Sequence, residues 1–419
     1  MKQNTRQTSS LWTRDFTIIT AGSAVSMFGN ALSGFAMSLM VLDISHSTLL
    51  YAVYIAMYTL PMLFVPIISG AVLDRYSRKK TIYTLDFLSS GLYLLIALLI
   101  AKGWFSFPVF AAFCFILGSI ESVYLVAYES FYPLLITEGN LQKAYSVASV
   151  LETVSAVMVP VSAFLYHQIG LAPLLAVNAL CFFAAAVMET RIRTEEQYIE
   201  TQKETALQEA GLLRQTLADV QEGFSYLRSE RGLLAVAAYF AFAAVSGGVS
   251  NVVVLPYFKS VYSNGEYIYM LVWGTGLIGR ALGGMIHYRA SIPAQHRYRI
   301  ALVIYIVISA LEGTYLFCPI PVMMVFCFII GIGGITTYTI RLSATQSYVP
   351  DEKKGRFNGA FGMLSTAGAL IGEICAGALS LFASERIILL AVMSVNLLAA
   401  VFIIGGNRDA VSHVYNRCE

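Results

Sequence analysis

The chain has 419 residues, 57% of them hydrophobic and only 12% charged, with a formal net charge of +2. That balance excludes a soluble globular protein, and nothing in it points to a nucleic-acid partner. A membrane-crossing helix needs about 20 mostly apolar residues, so the chain has room for twelve of them joined by short loops.

The first residues, Met1-Lys2-Gln3-Asn4-Thr5-Arg6, are polar, and the apolar stretch after them is too long for the core of a cleavable signal. Hydropathy predicts six helices near Phe16–Leu42, Leu49–Leu73, Ile82–Ala101, Phe105–Tyr132, Ala144–Tyr166 and Leu171–Met188. Six more follow near Leu233–Phe258, Tyr267–Tyr288, Ile300–Phe317, Val322–Thr345, Phe357–Phe382 and Ile387–Gly405. The polar interval between the sets gives a division into 1–189, a linker at 190–231, and 232–419. Within that linker Leu213, Leu217, Val220, Phe224 and Leu227 recur at helical spacing, which predicts an amphipathic helix on the inner membrane surface or at the base of a bundle. All but four of the 27 Lys and Arg residues fall on one side of this layout; Lys102, Lys259 and Arg386 lie opposite, and Arg280 lies within a helix. That asymmetry predicts cytoplasmic N- and C-termini.

The most informative stretch joins the second and third helices: Gly70-Ala71-Val72-Leu73-Asp74-Arg75-Tyr76-Ser77-Arg78-Lys79-Lys80. An acid at a helix end followed by four cations serves to cap and pair helix ends and to hold the turn in the cytoplasm. The stretch resembles the loop motif of the major facilitator superfamily, G-x3-D-R-x-G-R-K, with Gly70, Asp74, Arg75, Arg78 and Lys79 matching and Ser77 in place of a glycine. A degraded counterpart, Gly284-Met285-Ile286-His287-Tyr288-Arg289, keeps the arginine but has Tyr288 where the acid was, as expected of a duplicated transporter.

The resemblance covers essentially the whole chain. It implies an all-α membrane protein of twelve transmembrane helices in two six-helix bundles, with helices one, four, seven and ten lining a central cavity. Ser26 with Phe28-Gly29-Asn30-Ala31-Leu32, and Leu217-Ala218-Asp219-Val220-Gln221-Glu222-Gly223-Phe224-Ser225-Tyr226-Leu227-Arg228, are similar to the macrolide-efflux-like branch of proton-coupled exporters. The chain departs from many drug antiporters in the fifth helix. There Val159-Pro160-Val161-Ser162-Ala163-Phe164 keeps only the proline of a glycine-rich motif, so an outward direction rests on the branch resemblance. Pro160 still implies an irregular helix.

Ionisable groups inside a membrane are costly and therefore mark function by default. Glu121, Glu152, Arg280 and Glu373 fall near mid-helix; Asp86, Glu129 and Arg341 lie nearer the cytoplasmic ends and Glu312 nearer the outside, where capping and snorkelling explain such residues. Glu121, Tyr124, Tyr128 and Tyr132 recur at intervals of three and four, so one face of the fourth helix carries an acid and a tyrosine stripe. Glu121 is the first candidate for proton coupling, with Glu152 and Glu373 in reserve and Arg280 as a partner for either. Asn30, Ser33 and Met37 on the first helix, Tyr124 and Tyr128 on the fourth, Arg280, and Tyr338 with Arg341 on the tenth are the candidate cavity residues. Gly368, Gly372 and Gly377 permit close helix approach.

Nothing here is built for catalysis. No Gly-x4-Gly-Lys-Ser/Thr sequence is present, the histidines are scattered, and Cys114, Cys181, Cys318, Cys327, Cys375 and Cys418 show neither disulfide nor metal spacing. The expectation is a secondary transporter rather than an enzyme, without metal or cofactor: a monomer in a bacterial plasma membrane, exporting a small amphipathic compound against protons. Uptake or exchange of a nutrient, siderophore or lipid is the rival on the same fold, and a non-transporting membrane receptor is the rival of a different class.

Overall fold

The computed structural model describes residues 10–73, 76–137, 140–155, 157–194, 196, 212–289 and 292–417, and among them every regular element is helical. Helix α1 runs over Arg14–Ser45. The next apolar stretch is divided at Leu60 into α2, Thr48–Thr59, and α3, Pro61–Leu73, with Pro61 at the first helical position, where its missing N–H has no intrahelical partner to lose. Then come α4, Arg78–Ala101, and α5, Phe107–Phe131. The fifth predicted helix is also in two pieces, α6, Leu141–Ser155, and α7, Met158–Ile169. The break lies about one turn before Pro160, the distance at which a proline ring is incompatible with a continuous helix. Helix α8 is Leu171–Glu189 and α9 is Leu212–Ser229. The remaining long helices are α10, Arg231–Val261; α11, Gly265–Arg289; α12, Arg297–Thr314; α13, Ile320–Tyr348; α14, Asp351–Leu379; and α15, Glu385–Ala399. Helix α15 continues as a π-helical turn, Ala400–Gly405, before the short α16, Arg408–Tyr415.

Turn chemistry sets the ends. Ser77 caps α4, its hydroxyl accepting from the Lys80 amide at 3.1 Å. At the other end Gly103 has φ +74°, and its amide bonds the Ile100 carbonyl at 2.9 Å, a left-handed stop suited to glycine.

Ten helical stretches among the described residues are long and apolar enough to cross a membrane. The broken α6–α7 segment and α11, which carries Arg280 and several glycines, are not among them. By their contacts the helices form two compact units, Met1–Ile44 with Met57–Arg214, and Ser45–Ala56 with Gln215–Glu419. In the first unit α4 packs on α8 and on α5, and α3 packs on α5. In the second, α10 packs on α14 and α11 on α13.

Small residues make those close approaches. A Cβ on Gly372 of α14 would collide with the Val245 carbonyl of α10, and one on Gly368 would crowd Ala241 in the same way. Gly377 meets Ala52, which belongs to the same unit. The amphipathic α9 is docked on α14: Leu227 is buried in the second unit's core, Glu222 pairs with Arg356 at 2.6 Å, and the Lys353 ammonium stands 4.7 Å from the Tyr226 ring centre. Leu227 and Phe224 of its apolar face thereby cover protein.

Candidate functional site

Within the first unit α1, α4 and α5, with Ala148 and Leu151 of α6 and Phe182 of α8, line a cavity of about 420 Å³. Helix α1 lines it with Thr20, Ser23, Met27 and Asn30, an i, i+3, i+7 pattern that keeps one polar face inward. Helix α5 supplies Glu121, Tyr124 and Tyr128 at the predicted spacing, and Tyr132 follows just beyond its end. The three rings form a ladder, Tyr124 on Tyr128 with centroids 5.8 Å apart and Tyr128 on Tyr132 at 5.2 Å, both stacked. Ser23 donates to the Tyr128 hydroxyl at 3.1 Å and Tyr132 donates to the Ala144 carbonyl at 3.0 Å, so the ladder is held at both faces. The wall is amphipathic: stacked rings and aliphatic side chains with hydroxyls, an amide and carboxyls at set positions.

Asn30 is oriented from behind. Its Oδ1 accepts from the Tyr93 hydroxyl at 3.4 Å and from Asn178 Nδ2 at 3.3 Å, which leaves its own amide N–H groups for the cavity. Ser33, also expected on the cavity, is fully buried and accepts from Asn178 Nδ2 at 2.7 Å; it supports Asn30 instead. Met37 is buried farther along α1 and does not line the cavity.

Asp86 of α4, read from sequence as a helix-end residue, lines the same cavity and is 1% exposed. Glu189, the last residue of α8, is equally buried, and its carboxyl lies within hydrogen-bonding reach of Asp86. This pair was missed. The available signal was Glu189 itself, because a carboxylate at a helix C-terminus opposes the helix dipole and an unpaired one there needs an explanation. Among the described residues no three His, Cys, Asp or Glu side chains are grouped as a metal site.

Of the basic turn, Asp74 and Arg75 lie outside the described residues, and the side chain of Gly70's neighbourhood is described only from Leu73 and Tyr76 onward. Arg78 donates from Nη1 to the Ser130 carbonyl at the end of α5, 3.2 Å away, and Lys79 Nζ donates to the Ile192 carbonyl at 3.3 Å. Glu196 sits on the N-terminus of α4, accepting from the Arg78 amide at 2.8 Å, the Lys79 amide at 3.4 Å and the Ser77 hydroxyl. The turn is thereby tied to the segment that leaves α8.

In the second unit Arg341 of α13 is held by rings, its guanidinium 5.0 Å from Phe240, 5.3 Å from Tyr338 and 4.8 Å from Phe361. Among the described residues it makes no ion pair, and its Nε is buried without a hydrogen bond. Tyr338 is half exposed. Glu373 is buried on α14. Arg280 corrects an expectation: it is exposed and forms no ion pair with Glu373 among the described residues. The reason lies in α11, whose glycine face at Gly279 and Gly283 is taken up by α13, leaving the Arg280 side chain outside that packing. The side chain of Glu152, the other proposed partner, lies outside the described residues.

Comparison with known proteins agrees with this architecture. An uncharacterised MFS-type transporter of Bacillus subtilis (strain 168), YkuC, is 24% identical over 297 residues, 67% of this chain and 68% of the relative. The solved nucleoside transporter NupG superposes with a TM-score of 0.67 at 11% identity, covering 94% of this chain and 99% of its own. The xylose transporter XylE from E. coli, in a partially occluded inward-open conformation, gives 0.62 at 13% identity over 93% and 96% of the two chains. The sequence profile described as Major Facilitator Superfamily matches residues 19–373, and the chain belongs to that superfamily of secondary transporters.

Proposed function

We propose that this protein is a proton-coupled exporter of small amphipathic compounds that works by alternating access in a bacterial plasma membrane. Twelve spans with both termini cytoplasmic, a monomeric state and no cofactor complete the reading. The observation that carries it is the cavity of the first unit. Apart from its tyrosines, its ionisable lining is acidic, Glu121 and Asp86, and the rest of the wall mixes hydroxyls, one oriented amide and stacked rings. Such a wall suits a ligand that is part apolar and part polar or cationic. Glu121 heads the ladder, and a carboxyl facing a cavity of this kind is placed to exchange a proton for a departing ligand.

The deciding measurement is proton flux in proteoliposomes containing the purified protein, against a panel of compounds, with an ionophore control. Export predicts compound efflux that drives proton entry and stops when the gradient is collapsed. Compound and proton moving together identify an importer on the same fold. A receptor moves neither. The topology has its own test: single cysteines near Asn264 and Ser384 should label from outside intact cells, and cysteines at Ser77 and Gln202 should not.

A further inference from the structure

Asp86 and Glu189 have a contact that two ionised carboxylates cannot make favourably. Both side chains are 1% exposed, yet neither Glu189 oxygen nor Asp86 Oδ2 receives a hydrogen bond from an N–H or O–H of the described residues. They are within reach of each other. An ionised carboxylate offers only lone pairs, so such a contact becomes a hydrogen bond only when one of the two carries a proton.

The surroundings leave no other remedy. The charged and titratable groups facing the pair are Glu121 and Tyr124 from α5, and Glu121 adds a third acid rather than a countercharge. From α1 a near neighbour is Gly22, where a methyl group would stand 3.2 Å from Glu189 Oε1, and the α1 residues bordering the cavity with Asp86 are Thr20, Ser23, Ser26, Met27 and Asn30, none of them charged. No Lys, Arg or His among the described residues pairs with either carboxyl. A buried, unpaired double negative charge is prohibitively costly, whereas one shared proton leaves a single charge and one strong hydrogen bond.

We propose that Asp86 and Glu189 together form a second proton-binding site, in series with Glu121, that holds one proton between two carboxyls. Asp86 opens on the cavity that Glu121 lines, and Glu189 ends α8 immediately before the exposed Thr190 and Arg191. A proton leaving Glu121 through cavity water is taken up by Asp86 as Glu189 gives its proton up at the end of α8. The pair carries one proton before and after, and Glu121 returns to its ionised form. The role in transport rests on the proton-coupled reading above; the shared proton does not.

Two measurements separate the two claims. Infrared spectroscopy of the full-length protein in lipid should show a protonated-carboxyl band at neutral pH that persists in Glu121→Gln and is lost or shifted in Asp86→Asn and in Glu189→Gln. Each amide can still bond the remaining carboxylate, so both variants should fold. If they do not, the wild-type spectrum alone decides, since no protonated carboxyl at neutral pH overturns the site. In proteoliposomes either variant should keep downhill movement of a transported compound while proton-driven accumulation falls by about a hundredfold, the low end of what a positioned proton donor supplies. Wild-type accumulation in both variants overturns the relay. A wild-type protein that moves no protons but shows the band would refute the transport reading and leave the shared proton standing.

Discussion

The two units deal with charge inside a membrane in opposite ways. The first unit keeps acids and leaves them room: Glu121 and Asp86 border a cavity of about 420 Å³, with Glu189 against Asp86. The second also buries an acid, Glu373, but it keeps a cation besides and fills the space around it, Arg341 having three aromatic rings within 5.3 Å of its guanidinium. An arginine stays charged at any working pH, so its desolvation is offset by ring faces, each contact worth about 0.5–2 kcal/mol. A carboxyl has a second option, which is to bind a proton. On the proton-coupled reading proposed above, the contrast assigns the coupling acids to the first unit and leaves Arg341 as a cation held by rings.

The hardest test of that division is Glu121→Gln, which imitates the protonated acid. Proton-driven accumulation should fall by about a hundredfold while downhill movement of the compound survives, and Glu121→Asp should retain part of the activity with a shifted pH optimum. Uphill transport by Glu121→Gln at the wild-type rate would break the comparison and move the assignment to Glu373 of the second unit.

Next in size is the basic turn, of which the second unit keeps Gly284 and Arg289 but has Tyr288 in place of the acid. Asp74→Asn should leave expression intact and reduce transport about tenfold, by shifting the balance of states toward the inward-facing one with about 1.4 kcal/mol of differential stabilisation lost. Tyr288→Phe at the degraded counterpart should be nearly silent. Equal effects, read as transport and as cysteine accessibility on the two faces, would show that the turn acts only in topology.

Arg341→Met sharpens the other side. Removing a cation that has no anionic partner among the described residues relieves desolvation while losing ring contacts, so thermal stability should stay within about 1 kcal/mol of wild type. Transport should show a raised KM with its maximal rate retained, and the dependence of coupling on pH should not change. A changed pH profile would mean that Arg341 takes part in proton handling.

How much of this was legible in the sequence follows from the range of each signal. Helices were legible because hydropathy is local, and so was the face joining Glu121 to the tyrosine ladder, because a spacing of three and four residues fixes a helix face. The docking glycines at Gly368 and Gly372 were legible for the same reason. What a single helix does not reveal is which way its neighbour lies. Ser26, Asn30, Ser33 and Met37 read as one lining face; Ser26 and Asn30 do line the cavity, but its wall on α1 continues through Ser23 and Met27, and Ser33 turns to Asn178 of α8. Arg280 is exposed although its backbone amide borders the seam between α11 and α13, an arrangement that only the packing of the two helices reveals. Asp86 and Glu189 sit on α4 and α8, far apart in sequence, and only the packing of those helices makes them a pair.

The smallest expected effect concerns Glu196, which gives the first unit another acid, one that faces hydrogen-bond donors. Its carboxylate accepts the Arg78 and Lys79 amides at the start of α4, where the helix dipole favours an anion. Asp86 and Glu189 meet acid with acid, whereas Glu196 meets donors, so the same side-chain chemistry predicts opposite responses to neutralisation. Glu196→Gln should cost about 0.3–1 kcal/mol at the helix end and Glu196→Ala about 0.5–2 kcal/mol. The loss should be confined to the first turn of α4 and read as faster hydrogen exchange at the Arg78 and Lys79 amides, with exchange in α5 unchanged. Neutralising Asp86 as Asn should not accelerate exchange in α4. If Glu196→Ala leaves the Arg78 and Lys79 amides as protected as before, the segment after α8 does not hold the basic turn, and the comparison between a proton-sharing acid and a capping acid fails at its second term.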